Sequence, residues 1–249
     1  MRLPSADGAT RGRSTSLRGL NVVWFGHSTF MVTSPKGVRV LFDPWLATNP
    51  SCPASARKVG AVDMMLISHG HSDHCEDALT VARDTSATVV APVELVAWLE
   101  RQGVKNTRPM NIGGRQTIKG VHITMVNALH SSSVEEGGQR TYLGPATGYV
   151  VRFEAGPSIY FAGDTALFGD MRLIGERYKP DIAFLPIGDR YTMGPEDAAA
   201  AADWLGVKTV VPMHYGTFPE LTGTPDQLRQ FIGLKGIDVV ELRPGEITS

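Results

Sequence analysis

The chain reads as an α/β protein, and three observations carry that reading. Short β-rich runs alternate with helical segments from residue 21 onward. One run, "VDMMLIS" (62–68), is almost continuously apolar, the pattern of a strand buried on both faces. Histidines and aspartates fall repeatedly just past the ends of apolar runs, where open α/β sheets gather their ligands.

The elements follow in order. "LNVVWF" (20–25), "TFMVTS" (29–34) and "VRVLFD" (38–43) are predicted strands, parted by Gly or Pro-Lys-Gly turns. After a Pro-rich loop and the strand at 62–68, "CEDALTVARD" (75–84) is helical, "ATVVA" (87–91) a strand, and "VELVAWLERQG" (93–103) a helix ended by Gly103. "VHITMVNA" (121–128) alternates, with Val121, Ile123 and Met125 on one face. "GYVVRFEA" (148–155) and "SIYFAGD" (158–164) form a predicted hairpin around Gly156-Pro157. Helices are expected near 166–177, 195–205 and 225–233, with strands at 181–187, 209–214 and 238–242. No linker divides the chain and no fixed-period repeat is visible. One domain over residues 20–249 is expected, preceded by a polar, Arg- and Ser-rich mobile extension over 1–19.

Bulk properties narrow the function. The 249 residues are 42% hydrophobic and 20% charged, with formal net charge −1, so the chain lacks the basic field that non-specific nucleic-acid binding needs. No apolar run approaches the roughly 20 residues of a membrane span. Two cysteines, Cys52 and Cys75, make no disulfide framework, and the first 20 residues lack the apolar stretch of a leader. A reduced, cytoplasmic setting is expected, with a small-molecule substrate as partner, no nucleic acid, and homo-oligomerisation left open.

"ISHGHSDH" (67–74) packs His69, His71, Asp73 and His74 behind a buried strand. Imidazole nitrogens and a carboxylate oxygen are the donor set that suits zinc, iron or manganese. His130 follows "ITMVNAL", Asp164 follows "SIYFAG" and His214 follows "TVVPM", so three further donors end apolar strands.

With "HGHSDH" followed by a lone histidine, an aspartate in "GDT" and a late histidine, the chain resembles the metallo-β-lactamase-fold superfamily. "WFGHSTF" (24–30), "LFDPW" (41–45), "FAGDT" (161–165) and "MHYGTF" (213–218) are most similar to its bacterial metal-dependent hydrolases related to ascorbate-6-phosphate lactonase and N-acylphosphatidylethanolamine phospholipase D. The resemblance runs from about residue 20 to the end. It implies an αββα four-layer sandwich of two mixed sheets flanked by helices. It also implies two divalent metal ions, zinc first, with manganese, iron or nickel as alternatives. His69, His71 and His130 would hold one, Asp73, His74 and His214 the other, with Asp164 bridging. The implied activity is hydrolysis of a small ester, lactone or related carbonyl substrate by a hydroxide shared between the ions, with Asp73 orienting it and moving a proton.

Other residues stand beside these. His27, Asp189, Arg190 and Tyr191 follow strand ends and are expected to line the substrate pocket, although His27 reads equally well as structural and "TMGPED" as a helix start. Asp43 in "FDPW" is expected to fix a turn or support a ligand, His122 to lie on an exposed strand face, and Cys75 to pack. A phosphodiesterase acting on a lipid or nucleotide would share the ligands but want more rim cations than Arg140 and Arg190. A di-iron redox module would want more carboxylate and a flavin-binding partner domain, and a non-catalytic scaffold would have lost ligands. Hydrolase chemistry leads.

Overall fold

The computed structural model describes residues 17–154 and 156–249. The expected extension falls almost wholly on residues 1–16, outside the described residues. Leu17 is already fully buried, so packing begins inside that span.

The first half builds β1 (Asn21–Trp24), β2 (Phe30–Thr33), β3 (Arg39–Phe42), β4 (Met64–Leu66), α1 (Ser72–Cys75), α2 (Ala78–Thr85), β5 (Thr88–Pro92), α3 (Val93–Arg101) and β6 (Thr107–Met110). The second half builds β7 (Arg115–Ile118), β8 (Val121–Asn127), β9 (Ser133–Glu136), β10 (Gln139–Tyr142), β11 (Thr147–Arg152), β12 (Ser158–Phe161), α4 (Met171–Tyr178), β13 (Ile182–Pro186), α5 (Pro195–Leu205), β14 (Thr209–Met213), α6 (Pro225–Ile232), β15 (Asp238–Val239) and β16 (Ile247–Thr248). They form two seven-stranded mixed sheets, ordered β16-β1-β2-β3-β4-β5-β6 and β15-β14-β13-β12-β11-β8-β7, with β9 and β10 as a separate hairpin.

Strand periodicity makes the layers. Val22, Trp24, Phe30, Val32, Val40, Phe42, Met64 and Leu66 point one way from the first sheet and meet Ile123, Met125, Tyr149, Val151 and Phe161 of the second, giving the inter-sheet core. Their neighbours Met31, Leu41, Met65 and Val89 point the other way, against Val81 of α2 and Leu95 and Leu99 of α3. Each such fully buried side chain contributes roughly 1.5–3 kcal/mol relative to exposure. On the far side Met171, Ile174, Ala198, Ala202, Leu205 and Leu228 of α4, α5 and α6 join the core cluster. The order is helices, sheet, sheet, helices: the four-layer α/β arrangement expected.

Several boundaries differ from the sequence reading. The helix expected over 75–84 begins at Ser72 and breaks between α1 and α2, where the Asp77 carboxylate accepts from the Leu46 and Ala47 amides instead of capping its own helix. The helix expected from 166 begins at Met171, because Thr165 and Ala166 are held by Leu129. The strand expected over 238–242 spans only Asp238–Val239. The strands β6, β7, β9, β10 and β16 were not anticipated. β6 carries Pro109 and lies at a sheet edge, where a proline is tolerated. β9 and β10 are polar and turn through Gly137 (φ 57°) and Gly138 (φ 76°), the two left-handed positions a tight hairpin demands.

Candidate metal centre

Strand direction brings the donors together. β1 and β3 each run antiparallel to β2, and β4 runs parallel to β3, so β1, β3 and β4 point the same way. Their carboxyl ends deliver His27, Asp43 and His69 to one edge. In the second sheet β8, β12 and β14 likewise run in one direction, and past their ends come His130, Asp164 and His214. Hydrogen bonds lock the two edges to each other: His214 N to His27 O at 3.1 Å, Thr147 N to Ser68 O at 3.0 Å, and Tyr149 Oη to Ile67 O at 2.7 Å.

Two donor groups result, each with ligand-capable atoms within 4.8 Å of one another: His69, His71 and His130, and His27, Asp73, His74 and His214. In the first, His69 Nε2 and His71 Nδ1 lie 3.0 Å apart. In the second, Asp73 Oδ2 lies 3.0 Å from His27 Nε2, 3.8 Å from His214 Nε2 and 3.9 Å from His74 Nε2. Asp164 stands between them. Its Oδ2 is 3.0 Å from His214 Nε2, 3.2 Å from His74 Nε2, 3.6 Å from His130 Nε2 and 4.0 Å from His69 Nε2.

A supporting shell aims the rings. Asp43, fully buried, accepts from Ser68 N at 2.7 Å, from Ser68 Oγ at 2.6 Å and from His74 Nδ1 at 2.7 Å. That bond leaves His74 Nε2 turned toward Asp164. Asp43, His69 and His74 also lie close enough to form a third donor group, but the Asp43 oxygens are already engaged, so it belongs to the support. Ser68 Oγ also meets His69 Nδ1 at 2.9 Å, and Thr217 Oγ1 meets His27 Nδ1 at 3.0 Å. Left-handed backbone at His27 (φ 55°), Asp43 (φ 43°) and His214 (φ 56°) marks the rim, a strain that surrounding structure must hold in place.

The electrostatics suit a cation. Burial holds His69 well below the ordinary imidazole value, reinforced by the charge on His74, and burial also lowers His71 and His130. Neutral imidazoles keep the lone pairs that metals need. Burial and the neighbouring His214 depress His27 to about 4. Burial opposes the ionised forms of Asp73 and Asp164, yet the surrounding histidines, His74 for the first and His214 for the second, outweigh it and hold both below the usual carboxylate range. Burial likewise opposes charge on His74, but Asp164 and Asp73 hold it well above the ordinary value. Three buried polar atoms of the cluster, His74 Nε2, Asp164 Oδ1 and His214 Nδ1, have no hydrogen-bond partner among the described residues, a costly arrangement unless something further fills the centre. The donor set of imidazole nitrogens and carboxylate oxygens fits a divalent transition metal.

The remaining residues sort differently. His27 is completely buried against Asp73, Trp45 and His214, inside the second donor group and not on an outer wall. Its signal in the sequence was the same strand-end position that marked the other donors. Asp189, Arg190 and Tyr191 are exposed; their loop is tied to the Asp164 turn by Met193 N donating to Thr165 O at 3.0 Å, and Arg190 stacks over Tyr191. His122 is exposed and meets Thr117 Oγ1, far along β8 from His130. Cys75 is buried, its Sγ against Gly70 O. No helix among the described residues is long and apolar enough to cross a membrane.

Comparison with known proteins assigns the chain to a family. Residues 38–215 match the family model described as the β-lactamase superfamily domain. A UPF0173 metal-dependent hydrolase of Rubrobacter xylanophilus is 50% identical over 234 residues, covering 92% of this chain and 96% of the relative. One of Koribacter versatilis is 48% identical over 233 residues, covering 94% and 99%. Among solved structures, Igni18, a metallo hydrolase from the archaeon Ignicoccus hospitalis, superposes with a TM-score of 0.82 at 35% identity, covering 92% of this chain and 97% of that one. The chain belongs to the metallo-β-lactamase superfamily and, within it, to the UPF0173 metal-dependent hydrolases.

Proposed function

We propose that this metal-dependent hydrolase is dinuclear and acts on a small ester, lactone or related carbonyl substrate. The observation that carries the reading is the Asp164 carboxylate: one oxygen lies within 4.0 Å of Nε2 atoms from both donor groups. A carboxylate so shared is suited to bridge two cations, His69, His71 and His130 holding one and Asp73, His74 and His214 the other, with zinc the first expectation. Bound there, two such ions supply Lewis acidity, acidifying a water and polarising the scissile carbonyl.

The chain's own residues do the rest. Asp73, ionised and with a side chain 28% exposed, turns Oδ2 to the histidines and can use its other carboxylate oxygen to orient the attacking water and pass a proton from it to the leaving alkoxide. His27, kept neutral by burial and fixed by Thr217, holds Asp73 in that pose. Trp45 and Phe218, stacked at 5.9 Å with the His27 ring edge-on to both, offer an apolar wall on this side. Carbonyl chemistry is favoured because the sequence offers only Arg140 and Arg190 as cations for a phosphodiester, and Arg140 already pairs with Glu135.

The test is a hydrolysis screen over lactones, thioesters, phosphodiesters and β-lactams, with EDTA-treated protein and Asp164→Ala as controls. Turnover of a lactone or ester that both controls abolish supports the reading. Turnover confined to phosphodiesters refutes the substrate class, and full activity in Asp164→Ala refutes the bridging role.

A further inference from the structure

The second sheet carries another concave feature at the end opposite the metal centre. β8 rises about 3.3 Å per residue, so His122 at its start lies roughly 20 Å from the donor edge at its end. Pairing aligns His122 with Thr117 of β7 and Arg152 of β11, and Arg115 with Thr124. These side chains, with Arg177 and Tyr178 from the last turn of α4, line a groove of about 400 Å³.

Its charge is one-sided. Three guanidinium groups from three separate elements line it, joined by His122, and none of the lining residues is acidic. Elsewhere on the surface Arg18, Lys119, Arg140, Arg229 and Lys235 each meet a carboxylate. Arg115 and Arg177 form no hydrogen bond or ion pair with any described residue. Arg152 donates to the Tyr178 carbonyl at 3.3 Å, covering a helix-end oxygen that would otherwise repel an anion, and keeps its other donors free. Thr117 Oγ1 holds His122 Nδ1 at 2.9 Å, which leaves Nε2 as the ring's remaining polar atom. Like charges gathered without counter-charge repel one another, and a bound polyanion removes that cost. Planar guanidinium forks match phosphoryl oxygens two at a time, and three forks spread over three elements offer enough donors to serve two linked phosphoryl groups. The floor is not purely polar: Val150 and the Tyr178 ring supply an apolar side for an organic body.

We propose that this groove is a second ligand site, separate from the metal centre, for a small organic diphosphate. ADP, AMP and adenosine are the probes, titrated calorimetrically into the metal-loaded protein at low salt. ADP should saturate, AMP should bind at least about tenfold more weakly, and adenosine should not bind. R115A/R152A should weaken ADP at least about tenfold, since each lost charge-assisted contact is individually large. R115K/R152K, which keeps the charge and loses the forks, should fall between. Both doubles should keep the far-UV spectrum, metal content and hydrolytic rate of the parent. ADP binding should survive in D164A and in EDTA-stripped wild-type protein, which separates this site from phosphate capture by metals. Absence of ADP saturation at millimolar concentration, ADP binding indifferent to the arginine substitutions, binding lost with the metals, or equal binding of AMP and ADP would each overturn the proposal.

Discussion

Asp43→Asn removes one charge from the supporting shell and almost nothing else. Asp43 is fully buried and sits at φ 43°, a left-handed conformation that asparagine tolerates well, so the backbone should stay in place. Its carboxylate accepts three bonds of 2.6–2.7 Å, from Ser68 N, Ser68 Oγ and His74 Nδ1. An amide has one acceptor oxygen. If that oxygen keeps the Ser68 amide, an NH₂ group faces His74 Nδ1, and the imidazole must move its proton to Nε2, the atom aimed at Asp164. The lost charge-assisted bond is worth about 1.5–3 kcal/mol, which corresponds to roughly 10–100-fold in metal affinity, the range typical when the hydrogen-bond partner of a metal-binding histidine is altered. Competition with a chromophoric chelator reads that affinity directly. Ser68→Ala removes a hydroxyl donor and leaves the Asp43 charge, so it should cost clearly less. Affinity within threefold of wild type in Asp43→Asn would refute the idea that Asp43 sets the His74 tautomer.

Other expectations bear on separate parts of the account. Gly163 has φ 60°, and a Cβ there would meet Thr147 O at 2.7 Å and Ser68 Cβ at 2.8 Å; Gly163→Ala should cost about 2 kcal/mol or more and displace Asp164, seen as a lower denaturant midpoint with reduced metal content. An unchanged midpoint would show that the turn has slack. His122→Ala should leave hydrolysis intact, and a large loss of rate would mean that β8 faces the other way. Chelator-treated protein should lose stability as the pH falls from 6.5 toward 4, because His27 is lowered from 6.5 to about 4 and the unfolded chain takes up protons first. The stabilisation is complete above 6.5 and amounts to about 3 kcal/mol at most from this group, with His69 shifted in the same direction. Equal urea midpoints at pH 7 and pH 5 would contradict it.

Much of the layered fold was legible because strand periodicity is local: Val22, Trp24, Val40 and Phe42 alternate with partners facing α2 and α3, and the apolar run at 62–68 reads as a doubly covered strand. The polar strands lack an apolar alternation to mark them: "SVEE" and "QRTY" are joined by backbone pairing and the Arg140–Glu135 ion pair, and "TRPM" looks broken by its proline. The donors of "HGHSDH", with His130, Asp164 and His214, stood out by residue type and strand-end position. His27 shared that position but read ambiguously, because its burial beneath Trp45 and Phe218 depends on a loop from residue 43 and another from residue 214 closing over it. Asp43's bond to His74 joins residues 31 apart, and no local pattern encodes it. The basic groove was invisible for the same reason: Arg115, Arg152 and Arg177 look like scattered surface cations until the sheet register aligns them.

The proposed function stands on a two-metal centre bridged by Asp164. Elemental analysis of protein purified without chelator from metal-supplemented medium, set beside Asp164→Ala, tests it most directly. Close to two transition-metal ions per chain are expected in the parent, with loss of at least one in the variant. No metal in the parent, or the same occupancy in both proteins, would contradict it.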